Sequence, residues 1–361
     1  MTLFDRYLGK RMIGAIFRIL ITVVLLYIAI DFLSQRGQDF RNYGVPVGVA
    51  LQYYLTFIPT ILFEYQAAAL AVLIAGLMVL GKAAQDSEIT AILAGGVSLY
   101  RIICAPVLVA LVMAVGAFWV QETWGVSATS RARQIEDEYF SRMVHDANRA
   151  PISWANLDET WTCHVLKFNR TALTGQYVYL HAIEDDVVQE IRANRIYWDE
   201  NVNAWILEDG RWARFGEDWD LQVDRITQAR APFNEAPDQL FALEQPADTK
   251  SAQTLADDLE HAANLGIPVD RYWVDYHAKF ARPALSFVMI FLAIPFAIRI
   301  RRGGVAVGFG LSIAIGLAYL LLFLLSMGLG YMEALPPIIA AWLANACFFA
   351  LGMVLLYRTP T

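Results

Sequence analysis

The chain has 361 residues, 57% of them apolar and only 17% charged, with a formal net charge of −7 and a mean hydropathy of +0.42. Such values belong to a membrane protein rather than a soluble globular one. Charge is unevenly placed: residues 122–275 carry 28 acids and 14 bases, a net of −14, and the remainder a net of +7. An acidic central block argues against nucleic acid as a partner, and a basic remainder suits anionic lipid at a membrane surface.

From the N-terminus, Arg6, Lys10 and Arg11 precede an apolar run of about 22 residues. A signal-peptide core is shorter and ends at a small-x-small cleavage site. Here Ser34-Gln35-Arg36 follows, which reads as an uncleaved first helix. A spanning helix takes about 20 apolar residues. Six segments qualify, at about 12–33, 56–80, 100–121, 278–298, 305–329 and 336–357. Pro59 falls in the second, and Pro283 and Pro295 in the fourth; neighbouring helices make such prolines tolerable. Arg6, Lys10, Arg11, Lys82, Arg101, Arg299, Arg301, Arg302 and Arg358 lie on one side, against Arg36 and Arg41 on the other. By the positive-inside rule both termini are cytoplasmic, and the central block is outside, in the periplasm of a Gram-negative cell. Two ridges of small residues, Ala67/Ala71/Ala75 and Gly304/Gly308/Ser312/Gly316, allow close helix packing, either within the chain or against a similar subunit. Glu64, beside Gln66 in span two, either lines a polar path or sits at the interface; Asp31 is placed at the outer interface.

The loop after span two contains a short amphipathic helix, within about 84–96, lying across the cytoplasmic surface. Asp86 or Ser87 caps it, Glu88 sits in its first turn, Ile89, Ile92 and Leu93 share one face, and Gly95-Gly96 ends it. The string Gly76 to Lys82 approaches a phosphate-binding loop but fails. Ala83 replaces the Ser/Thr that holds magnesium, and the string ends an apolar helix instead of following a strand. Lys82 reads as a membrane anchor.

In the central block, 126–143 extends span three as a polar helix, and 160–230 reads as β-structure. Gln176–Leu180 and Arg195–Trp198 are strands, Asp199-Glu200-Asn201 is a turn, and Ala204–Leu207 returns. Asp209-Gly210 is a hairpin signal, with Arg211–Phe215 on its far side. The spacing predicts an antiparallel sandwich or barrel-like sheet. Residues 251–264 are helical, closed by Gly266 and Pro268. Trp154, Trp161, Trp198, Trp205, Trp212 and Trp219 serve as core or surface aromatics, or line a groove for acyl chains. Of the cysteines, Cys104 and Cys347 fall in spans and Cys163 alone in the central block, so no disulfide forms within that block and no metal-ligand spacing exists there. His145, His164, His181, His261 and His277, with Asp185-Asp186 and Asp257-Asp258, build no catalytic motif. Neither a catalytic residue nor a metal ligand is expected.

Four features in order carry a family resemblance: Asp5-Arg6-Tyr7-Leu8-Gly9-Lys10, Ser87-Glu88 with Ala94-Gly95-Gly96, the three-plus-three topology, and Pro336-Pro337-Ile338-Ile339 before the last span. Over almost its whole length the chain resembles the lipopolysaccharide export permeases LptF and LptG, and its opening hexapeptide is more like LptG. The resemblance implies an α-helical membrane protein of six transmembrane helices, 3+3, with an inserted periplasmic all-β, jellyroll-like domain. The divisions are 1–121, 122–275 and 276–361. It implies a permease subunit of an ABC transporter that extracts lipopolysaccharide from the bacterial inner membrane and passes it to a periplasmic bridge, LptC or LptA. ATP and magnesium belong to a separate LptB-like ATPase dimer, no cofactor to this chain, and an LptF-like permease is the pairing subunit. It also makes Glu88, with Ser87, Asp86, Ile89, Ile92 and Leu93, the contact that couples to the ATPase. Arg36, Arg41, Arg131, Arg133, Lys279 and Arg282 cluster near the outer face, where they either meet lipid A phosphates or snorkel as anchors. Some family members carry a base where this chain has Asp31, which moves the head-group contact of span one to Arg36 and Arg41. Two other classes stand beside this reading: a membrane enzyme acting on lipid-linked sugars, and a membrane-anchored periplasmic scaffold or receptor.

Overall fold

The computed structural model describes residues 3–140, 152–155, 161–169, 172–184, 187–215, 221–233, 236–237, 245–264, 269–299 and 304–359. The chain forms two compact units. One comprises Met1–Ile135, Ala247–Ala252 and Asp270–Thr361; the other comprises Glu136–Pro246 and Gln253–Val269. His145, Asp185-Asp186, Trp219, Gly266, Pro268, Arg301 and Arg302 lie outside the described residues, as does the side chain of Trp154.

The first unit is helical. Its elements are α1 (Leu3–Asp31), α2 (Gly37–Asn42), α3 (Val47–Pro59), α4 (Ala67–Gln85), α5 (Glu88–Ala94), α6 (Leu99–Val120) and the start of α7 (Val126–Phe140). After the central block come α9 (Asp270–Arg299), α10 (Gly304–Tyr331) and α11 (Pro337–Tyr357), α8 (Ala252–Asn264) belonging to the other unit from Gln253 onward. Single π-turns at Phe32–Arg36, Thr60–Glu64 and Gln121–Gly125 link α1 to α2, follow α3, and join α6 to α7. Among the described residues seven helices are long and apolar enough to cross a membrane, so this is a multi-pass membrane protein.

The expected second span differs. The apolar stretch is two helices in series, Val47–Glu64 and Ala67–Gln85, broken at Gln66, whose φ is +57°. Pro59 has no N–H to continue the ladder, and the chain passes through a π-turn closed by Tyr65 N–H donating to Thr60 O at 3.0 Å. Both helices run antiparallel to α1. Tyr54 Oη donates to Asp31 Oδ2 at 2.9 Å near one end, and Arg11 meets Glu88 at 3.5 Å at the other. The two make one kinked pass, and the seven apolar helices make six. At 1.5 Å per residue the 29-residue α1 is about 43 Å long, longer than the ~30 Å hydrocarbon core and so long enough to span it with tilt.

The core of this unit is α4 and α9. Ala67, Ala71 and Ala75 are buried, so the first small-residue ridge packs within the chain. Gly76 is the tightest point, where a Cβ would lie 2.7 Å from Ala293 Cβ. From Gly308 onward the second ridge faces inward as well: a Cβ at Gly316 would stand 3.1 Å from Leu70, one at Gly308 3.7 Å from Leu77, and Ser312 is fully buried. Gly76, Gly81 and Lys82 all lie inside α4, so the phosphate-loop-like string is helix. Outward faces are apolar, with Phe17, Ile21 and Leu25 on α1 and Ile313, Leu317 and Leu324 on α10 exposed, as lipid contact requires.

The second unit holds one six-stranded antiparallel sheet in the order β1-β2-β3-β4-β5-β6. Its strands are β1 (Ile152–Ala155), β2 (Trp161–Asn169), β3 (Thr174–Glu184), β4 (Val187–Asp199), β5 (Ala204–Phe215) and β6 (Leu221–Arg230). An inserted β domain is present. Its described strands pair in chain order. Inward-facing Cys163, Val165, Val178, Leu180, Ile191, Ile196, Trp205 and Leu207 form its core. Trp161–Trp212 and Trp198–Trp205 meet edge to face, so these four tryptophans build the core. Burial pushes the Cys163 thiol well above its ordinary range. The predicted turn after β4 is present, with Asn201 N–H bonded to Asp199 Oδ1 at 2.9 Å.

Asp209-Gly210 is not a hairpin turn. It lies within continuous β5, with Asp209 at φ +50°, because a bulge uses the same positive φ that a tight turn does. The slip is shared across the sheet. Leu166-Lys167 on β2, Asn194-Arg195 on β4 and Thr227-Gln228 on β6 are adjacent exposed pairs where strict alternation would bury one. Tyr177 on β3, at φ +58°, lies at the same level. The result is a crease running across β2–β6.

Gly76→Ala should destabilise the helical unit by about 1–3 kcal/mol through overpacking, whereas Gly308→Ala should leave it unchanged or slightly more stable. Thermal unfolding in detergent checks both; equal midpoints would contradict the packing assigned to α4 and α9.

Candidate functional site

Two places in the helical unit bring charge and exposed surface together. The first is α5. Ile89 is buried and Ile92 and Leu93 pack beside it against the helical core, as their spacing predicts. Ser87 occupies the N-cap position at φ +63° and makes no side-chain cap bond; from that backbone its hydroxyl does not reach the first-turn N–H groups. The other end follows expectation: Gly96 is left-handed at φ +84°, with Gly96 N–H donating to Leu93 O at 3.0 Å and Val97 N–H to Ile92 O at 3.3 Å, a Schellman ending. Glu88 turns sideways to α1. Its Oε1 lies 3.5 Å from Arg11 Nη1 and 3.4 Å from Tyr7 Oη, and Arg11 donates to Tyr7 Oη at 2.6 Å. Oε2 of Glu88 has no hydrogen-bond partner among the described residues. Asp86, Ser87, Thr90, Ala91 and Ala94 are left exposed.

The second place is the opposite end of the bundle. Asp275, Lys279 and Arg282 stand at i, i+4 and i+7 on α9, hence on one face. Each ties a different element. Asp275 Oδ1 accepts from Tyr331 Oη of α10 at 2.5 Å. Arg282 Nη1 donates to Glu64 Oε2, at the α3–α4 break, at 2.5 Å. Lys279, 1% exposed, donates to Lys250 O at 2.7 Å and Ala247 O at 3.3 Å and lies 3.3 Å from Glu122 Oε1 in the turn after α6. Glu122 Oε2 accepts from Ala252 N–H at 2.6 Å, and Arg133 on α7 pairs with Asp248 at 2.7 Å. The segment Ala247–Ala252 is thereby fastened to α6, α7 and α9.

The six predicted head-group bases fall into two sets. Arg133, Lys279 and Arg282 are engaged by Asp248, Glu122 and Glu64 as above. Arg36 sits 5.5 Å from the Tyr53 ring centroid, Arg41 donates to Gly37 O at 3.2 Å, and Arg131 donates to Gln134 at 3.1 Å. Near the same end an apolar groove of about 620 Å³ lies between α6, α9 and α11, lined among others by Val115, Phe118, Phe280, Phe287 and Trp342. Glu122, Asp248 and Asp275 were not singled out from the sequence. They sit in a polar, acid-rich stretch, and the one available signal is the i, i+4, i+7 spacing of charges at the start of α9.

Residues 6–358 match the family model described as lipopolysaccharide export system permease LptF/LptG. Curated relatives include the lipopolysaccharide export system permease protein LptG of Haemophilus influenzae, 25% identical over 306 residues, which are 81% of this chain and 80% of that one. The protein of the same name from Escherichia coli K12 is 25% identical over an alignment of 383 positions covering 98% of each chain.

Lys279→Met should strand the Glu122 carboxylate in a buried site, costing about 3 kcal/mol. Lys279→Met/Glu122→Gln should recover most of it. Unfolding midpoints of the single and double variants check this, and a single variant as stable as wild type would rule out a clamp.

Proposed function

Because the chain belongs to the lipopolysaccharide export permease family LptF/LptG, we propose that it is the LptG-type permease subunit of an ABC transporter in the bacterial inner membrane. In this reading both termini are cytoplasmic and the β domain is periplasmic. A homologous LptF-like permease completes the transmembrane path. An LptB-like ATPase dimer supplies the work, and lipopolysaccharide leaves through the β domain to an LptC- or LptA-like bridge. The distribution of Lys and Arg supports the orientation, and the names of the relatives support the LptG type.

The observation that carries the reading is α5. A seven-residue helix holds itself to the spans with Ile89, Ile92 and Leu93 and leaves Asp86, Ser87, Thr90, Ala91 and Ala94 outward. Such an arrangement transmits a push: the inner face is rigidly seated and the outer face is free for a docked subunit. Glu88 is held through Oε1 by Arg11 and Tyr7, while Oε2 is buried with no hydrogen-bond partner among the described residues, a carboxylate that a basic group of the ATPase would satisfy on docking. At the other end, Arg36, Arg41 and Arg131 and the apolar groove offer charge for phosphates and room for acyl chains.

Glu88→Lys should abolish ATPase-driven transport while the protein stays folded, since the pair with Arg11 is half-exposed and contributes under about 1 kcal/mol. The charge swap Arg11→Glu/Glu88→Lys separates an internal tie from a docking contact. Reconstituted transport should remain lost in the swap; recovery there would reduce Glu88 to a brace for α1. Purification of the chain alone as a stable homodimer, with no ATPase, would favour a scaffold.

A further inference from the structure

The outer face of the β sheet carries a row of like charges. Arg192, Arg211 and Arg225 are direct register partners on β4, β5 and β6, and Tyr179 on β3 continues the row. Like charges directly opposite one another on neighbouring strands, about 4.8 Å apart, destabilise a sheet. They stand here in a block with a net charge of −14, where acidic neighbours were plentiful. Arg192 is paired with Glu190; Arg211 and Arg225 have no acidic partner among the described residues.

The row borders the crease. Tyr177 and Asp209 hold left-handed backbone, and Asn194 between them donates to Asp209 Oδ2 at 2.6 Å. Non-glycine residues held at positive φ cost of order 1–3 kcal/mol each and concentrate at ligand sites. Together these residues line an open cleft of about 650 Å³ with the Tyr177 and Tyr179 rings on its wall, both well exposed. Lys167 Nζ adds a further positive charge 5.7 Å from the Tyr177 ring. The volume is that of a small-ligand pocket.

We propose that this cleft binds a phosphate-bearing saccharide. Guanidinium groups bind phosphate oxygens in bidentate fashion, the tyrosine rings offer flat amphipathic faces for sugar rings, and Asn194 and Asp209 supply a donor and an acceptor for hydroxyls. The cleft lies on the opposite side of the sheet from the apolar core, so it takes the head of an amphipathic ligand rather than its chains. The assignment rests on the permease reading for its biological ligand, the phosphorylated sugar head of lipopolysaccharide.

The test uses the full chain in lipid nanodiscs. Probes are intact lipopolysaccharide, its deacylated phosphorylated oligosaccharide, the same oligosaccharide after phosphatase treatment, and inorganic phosphate. Wild type should bind both phosphorylated forms, with the deacylated form sufficient. Arg211→Gln/Arg225→Gln should weaken binding about tenfold or more, as should dephosphorylation. Because neutralising both arginines relieves the like-charge row, the unfolding midpoint should be equal to or above wild type. Arg214→Glu, outside the cleft, should bind normally. Binding unchanged in the double variant, binding of the intact lipid alone, or inorganic phosphate bound as tightly as the oligosaccharide would each overturn the assignment. ATPase recruitment is measured on the same preparations. Its persistence without oligosaccharide binding rejects this cleft alone, whereas its absence in wild type rejects the permease reading.

Discussion

The helical unit depends on one stripe of α9. Asp275, Lys279 and Arg282 place three ionisable groups on a single helix face near the end of a membrane bundle, where an unpaired charge is expensive. Each is therefore answered by another element: Tyr331 of α10, Glu122 with the Ala247–Ala252 segment, and Glu64 at the break between α3 and α4. The requirement to pair these charges fixes where four separate stretches of chain must meet. Glu64 meets Arg282 at the break itself, in the π-turn where the second apolar segment leaves regular helix.

From that break α4 runs as one uninterrupted, almost fully buried helix to α5, packed against α9 through Gly76 and Ala293. A rigid helix with an ion pair at one end and the proposed docking element α5 at the other is a natural lever. In the reading proposed above, force delivered to α5 travels along α4 to the Glu64–Arg282 pair and so to the region where Arg36, Arg41 and Arg131 lie. The link is mechanical continuity through packed helices, which need only two arrangements to work as a switch.

Much of this was legible in the sequence because it rests on local pattern. Apolar runs gave the spans, the spacing of Ile89, Ile92 and Leu93 gave α5, Gly95-Gly96 gave its end, and alternating aromatic and β-branched residues gave the strands. What was not legible depends on partners distant in sequence. The pair at the break in the second span joins Glu64 to a basic residue more than 200 positions away. The basic cluster at the α9 Asp275–Arg282 end of the bundle reads the same in sequence whether its members face solvent or acids, and Lys279 turned out to be enclosed. Asp209-Gly210 has the chemistry of a tight turn, yet the neighbouring strands continue past it. Positive φ there serves a crease, and only the cross-strand register tells the two apart. The arginine row was invisible for the same reason: Arg192, Arg211 and Arg225 are unremarkable until pairing sets them side by side.

The central claim is that the exposed face of α5 receives an ATP-hydrolysing subunit. It is tested most directly by a cysteine at Thr90, in a chain with Cys104 and Cys347 replaced, carrying a photo-reactive maleimide in native membranes. The account predicts a covalent adduct with an ATPase subunit, lost when Glu88→Lys is added. An adduct with lipid only, or labelling of Thr90 from the periplasmic side, would contradict it.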